Sequence, residues 1–140
     1  MTRRESRELA FILVFQKLFN KGETIDEIAG AAAESGYIKP NNFARGLAAG
    51  VYENLGSIDP LIDANAIDWS KNRLSKVSLS VLRLALYEML FMDDIPVGAS
   101  INEAVEISKK FSTEADAAFV NGILGTVARA REENENAKDE

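Results

Sequence analysis

A chain of 140 residues, 46% of them hydrophobic, can bury a single-domain core without covalent staples; with neither cysteine nor histidine it excludes a disulfide framework, thiolate chemistry and the usual zinc ligands. A net charge of −6 argues against the broad basic footprint of a non-specific nucleic-acid binder. The charge is uneven, because Glu132, Glu133, Glu135, Asp139 and Glu140 face only Lys138 at the C-terminus, so residues 132–140 are expected as an acidic, disordered tail behind a domain spanning 1–131.

The N-terminus starts basic but turns amphipathic and has no small-residue cleavage site, so neither a signal peptide nor a membrane anchor is expected and the cytoplasm is the expected compartment. Residues 3–20 read as a first helix with Leu9, Phe11, Ile12, Val14, Phe15, Leu18 and Phe19 on a broad apolar face. Its first turn places Arg3, Arg4 and Arg7 where the helix dipole prefers acids. Two readings stand side by side: a phosphate-binding patch, because guanidinium forks match phosphate oxygens, or a solvated face steadied by Glu5 and Glu8.

Thr24 and Glu27 have capping-box spacing and open a second helix running to about Ser35. A third is expected from about Asn42 to Leu55, with Gly46 and Gly50 on one face to allow close approach of another helix and Gly56 as its stop. Asp59 and Pro60 read as the N-cap and first position of a short fourth helix. Trp69, beside Lys71, Arg73 and Lys76, is either a stacking platform with phosphate contacts or a plug at the end of the bundle.

The stretch Leu74–Met92 organises the rest. It is apolar nearly all round, contains neither Gly nor Pro, and would be about 28 Å long at ~1.5 Å per residue. Lys76, Arg83 and Glu88 make a membrane span costly, so it is read as the central core helix of an all-α domain. Asp93 and Asp94 follow in a loop and lack a third metal ligand. Ser100 and Glu103 repeat the capping-box spacing and open a helix through Phe111; Ser112 and Thr113 cap a last one from about Glu114 to Arg131, where Gly122 would allow a close crossing. No glycine-rich phosphate loop is present and nothing in the spacing of acids suggests catalysis, which favours a binding module needing no cofactor or metal.

Three blocks together are more specific than any one. RRESRELAF at 3–11, VLRLALYEML at 81–90 followed by DIP at 94–96, and INEAVEISKKF at 101–111 followed by FVNGIL at 119–124 resemble the NusB family of transcription antitermination factors, in order and spacing, from about Arg3 to Arg131. The resemblance implies a single-domain bundle of about seven helices in two packed halves, no enzyme activity, and binding of boxA RNA together with the small-subunit protein NusE when RNA polymerase elongates through ribosomal RNA operons. It implies RNA contact by Arg3, Arg4 and Arg7, with Trp69, Arg73 and Lys76 as a second part of that surface. Phe15, Ser78 and Phe111 fall at positions implied to face the partner, while Asn102, Glu103 and Asn121 are expected to satisfy polar groups inside the fold.

The family also leaves room for a homodimer. Glu5 interrupts the basic cluster, and Ala117 and Ala118 stand where a lysine is often found, so weak RNA binding without the partner is expected. The alternative function is a helical protein-interaction scaffold with little RNA binding of its own. A third, the N-terminal domain type of some ribosomal RNA cytosine methyltransferases, is set aside because the chain has no cysteine.

Overall fold

The computed structural model describes residues 2–36, 39, 41–66 and 74–139. Among them are seven α-helices and no strand: α1 (Arg3–Lys17), α2 (Ile25–Glu34), α3 (Asn42–Glu53), α4 (Leu55–Asn65), α5 (Lys76–Phe91), α6 (Val97–Phe111) and α7 (Glu114–Asp139).

Several helix starts are written locally. Thr24 Oγ1 accepts from the Glu27 amide at 3.1 Å while Glu27 Oε1 accepts from the Thr24 amide, closing the capping box of α2. Asn41 accepts from the Ala44 amide, Ser75 from the Ser78 amide and Thr113 from the Asp116 amide, each near 3 Å.

Helix α5 is the centre, as its all-round apolar sequence requires. Val81, Leu82, Leu84, Ala85 and Leu86 are all buried, and the helix packs against α1, α3, α4, α6 and α7. Helices α1, α2 and α3 pack on one another as one half; α4, α6 and α7 form the other, and α5 fills the seam. No helix among the described residues is long and apolar enough to cross a membrane.

Four expectations about local signals are corrected. Helix α3 breaks at Asn54, whose carbonyl accepts from the amides of Ser57 and Ile58, so α4 restarts at once and carries Gly56 and Pro60 inside it. Asp59 is therefore not an N-cap; its carboxylate is taken by Arg83, which donates from Nε at 3.0 Å and Nη2 at 2.9 Å. Helix α6 begins at Val97, a turn before Ser100, whose buried hydroxyl points to Glu88. Finally, α7 does not stop at Arg131 but continues through most of the acidic tail to Asp139: Glu, Ala and Lys are good helix formers, and no Gly or Pro follows Gly125.

The glycines divide by environment. A Cβ at Gly50 would collide with the end of the Tyr87 ring of α5, which lies closely over the glycine. Gly46 and Gly122 face open space, and the crossing expected at Gly122 is absent because α7 buries Val120, Ile123, Leu124 and Val127 on its other faces. Gly50→Val should lower stability by about 1–3 kcal/mol through overpacking, whereas Gly46→Ala should raise it by about 0.5–1 kcal/mol. Urea denaturation of both variants checks this; equal stabilities would contradict the close approach.

Candidate nucleic-acid and partner interface

The three arginines of the first turn of α1 have different fates, set by where the helix meets its neighbours. Arg3 is exposed and lays its guanidinium over the Phe43 ring of α3, 3.7 Å from the centroid. Stacking uses one face of the guanidinium plane and leaves its N–H edges able to donate. Arg4 reaches α6, donating from Nε and Nη2 to both carboxylate oxygens of Glu103 at 3.0–3.3 Å. Its side chain keeps 66% exposure while that of Glu103 has 15%. The hydrogen bond and charge of Glu103 hold the Arg4 guanidinium above its ordinary pKa.

Arg7 is different. Expected beside the other two on a phosphate-facing surface, it is buried and donates from Nε to Glu88 Oε1 of α5 at 2.9 Å. Burial pushes the Glu88 carboxyl up from the ordinary range, while Arg7 and the Ser100 hydroxyl pull the other way. A guanidinium placed against the dipole at the start of a helix is thus explained here by a carboxylate from another helix. Arg3 and Arg4 are the two of the three that solvent reaches.

A row of aromatic rings runs along α1. Phe111 contacts Phe11 at 5.0 Å between centroids, Phe11 contacts Phe15 at 6.0 Å, and Phe15 contacts Phe19 at 5.2 Å. Phe11 is buried, but Phe111 and Phe19 are 37% and 58% exposed, with Phe15 partly buried between them. Lysines flank the row. Lys110 lies 5.5 Å from the Phe111 centroid and pairs with Glu8, and Lys76 lies 5.8 Å from that of Phe19.

The first-turn arginines and Lys76 consequently sit at opposite ends of α1, about 22 Å apart along a 15-residue helix. Trp69 and Arg73, the other expected members of the second basic part, lie outside the described residues. Ser78, expected to face a partner, is instead 1% exposed, its hydroxyl without a hydrogen-bond partner among the described residues, because it lies on a face of α5 that other helices cover. Asn102 and Asn121, expected to pair inside the fold, are exposed, while Glu103 is partly buried and pairs with the exposed Arg4.

Phe15 and Phe111, the residues expected to face a partner, both lie in this row, and Phe19 and Lys110, which the sequence reading did not single out for an interface, extend it. The four-residue step of Phe11, Phe15 and Phe19 was the available signal. Among the described residues, no three acids gather as a metal site would require.

This arrangement defines a class: an all-helical domain that presents two exposed arginines at the start of its first helix and a lysine-flanked row of phenylalanines shared by α1, its C-terminal extension and the end of α6. The sequence profile of the NusB family matches residues 4–129. The transcription antitermination protein NusB of Ruminiclostridium cellulolyticum is 41% identical over 141 residues, covering 100% of this chain and 97% of that one. A crystal structure of T. maritima NusB superimposes with a TM-score of 0.80 at 42% identity, covering 92% of each chain. A second, of the antitermination factors NusB and NusE in complex with dsRNA, superimposes with a TM-score of 0.78 at 27% identity, covering 93% of this chain and 99% of that one. The chain belongs to the NusB family.

Proposed function

We propose that this protein acts in transcription antitermination by holding the phosphates of boxA-type RNA at the first turn of α1 while a NusE-type partner covers the phenylalanine row, within an RNA polymerase elongation complex on ribosomal RNA operons. The observation that carries the reading is the pair Arg3 and Arg4, side by side and exposed at one end of α1. The names of the relatives and the NusB–NusE–RNA complex support it. Phe15 and Phe111, with Phe19, supply apolar area for a partner; Lys76 is assigned to the far end of the RNA path, and Trp69 and Arg73 are proposed as RNA contacts on the sequence resemblance alone. The reading is of a binding factor working in the cytoplasm, with no catalytic step.

An RNA-independent scaffold is the second reading, favoured by one observation: each of the three arginines already has a partner within the fold, Phe43, Glu103 or Glu88. Binding of labelled boxA RNA against a scrambled control, with and without NusE, separates the two. Under the first reading, Arg3→Ala with Arg4→Ala weakens binding and lowers the salt slope by about 1.4–1.8, near 0.7–0.9 for each of two phosphates no longer neutralised, without changing helix content. Unchanged affinity in the double variant removes the site assignment. NusE binding with no gain of RNA affinity selects the scaffold.

A further inference from the structure

The geometry points to Glu103 as an internal competitor for the phosphate that Arg4 would bind, an inference that rests on the function proposed above. Three observations carry it. First, Arg4 donates to Glu103 through Nε and Nη2, the edge that a guanidinium offers bidentately to a phosphate, so both anions would seek the same two donors. Second, the two partners differ in freedom: the arginine side chain is 66% exposed on the first turn of α1, whereas the Glu103 side chain is 15% exposed, inside α6. The guanidinium can swing towards RNA; the carboxylate stays.

Third, Glu103 is held in a built junction. Glu103 borders a small cavity between α1, α5 and α6 together with Arg7, Glu88 and Ser100, where the buried Arg7–Glu88 pair ties α1 to α5 and Ser100 ties α6 to Glu88. One turn along α1, therefore, two arginines face two glutamates: Arg7 and Glu88 form the buried pair, Arg4 and Glu103 the pair at the surface. A phosphate arriving at Arg4 must displace a carboxylate that then remains nearby as an uncompensated negative charge. Glu103 thereby sets a threshold: a single weak phosphate contact does not open the pair, and RNA engaging Arg3 and a protein partner at the same time does. Glu103 is a positioning and selectivity residue, acting through Arg4 without touching RNA.

The test uses the full chain with NusE and the labelled boxA and scrambled RNAs, comparing wild type, Glu103→Gln, Arg4→Ala and the double variant. Glu103→Gln should tighten RNA binding about two- to fivefold at low salt, the range an exposed ion pair allows, with the larger gain for the scrambled RNA and a shrinking gain as salt rises. In the Arg4→Ala background the same substitution should give no gain, a coupling that a general charge effect would not produce. An equal gain in both backgrounds overturns the inference, as does unchanged affinity in Glu103→Gln while Arg4→Ala weakens binding; that second outcome leaves the proposed function standing. Wild type that binds neither RNA, with or without NusE, overturns both. Should Glu103→Gln lose helix content, Glu103→Asp, which keeps the charge but shortens the reach to Arg4, replaces it, and an unchanged affinity there also counts against the inference.

Discussion

Arg7→Met should cost about 3–5 kcal/mol of stability at neutral pH, because it leaves the Glu88 carboxylate buried without its cation. The loss should depend on pH in a definite direction. Burial already raises the Glu88 pKa and Arg7 opposes that rise, so the variant raises it further. A carboxyl with a raised folded-state pKa keeps a proton that the unfolded chain has released, and stability then falls as pH climbs from the ordinary carboxylate range, about 4.3, towards the folded value. The deficit of Arg7→Met relative to wild type should therefore be smaller at pH 5 than at pH 7.5 in urea denaturation. Adding Glu88→Gln should remove most of that pH dependence. A deficit independent of pH would show that Glu88 is not the group left uncompensated.

Asp59→Ser should be nearly as damaging, at about 3 kcal/mol, although serine is as good a helix cap as aspartate. The substitution discriminates between two roles. If Asp59 capped a helix, serine would replace it with little loss; as the bidentate partner of Arg83, only 10% exposed on α5, it has no substitute in serine. Tyr52 adds to this junction, donating its hydroxyl to the Val14 carbonyl at 2.6 Å and lying near Arg83, so the loss should extend to the packing of α3 on α1. A variant within about 1 kcal/mol of wild type in urea denaturation would show that the Asp59–Arg83 pair contributes little to stability.

These two residues show why part of the fold was legible in the sequence and part was not. The helix count, the capping box of α2, the Thr113 cap and the central place of α5 were readable because each depends on residues a few positions apart or on apolar content alone. Asp59, Ser100 and Glu103 have the same residue types and spacings as helix caps, yet their partners lie 24, 12 and 99 positions away. Each of these side chains can bond either a nearby backbone amide or a distant side chain, and only the packing of α1, α4 and α6 on one another and on α5 decides between them. The same holds at the candidate site. Arg3, Arg4 and Arg7 were legible as a basic turn, but burial against Glu88 separates Arg7 from the exposed pair, and Ser78 is covered for the same reason.

The position of α5 in the seam also has a consequence during synthesis. Helices α1 to α3 emerge from the ribosome first, while Leu13, Leu47 and Val51 await the cover that later helices supply. Roughly 40 residues separate the end of α3 from the end of α5, about 2–8 s of translation at 5–20 residues per second. For that interval the nascent N-terminal half carries an open apolar surface and its buried cation, Arg7, has no Glu88 to meet. Chaperone engagement of this protein should be concentrated in that window and should end as the central helix leaves the tunnel.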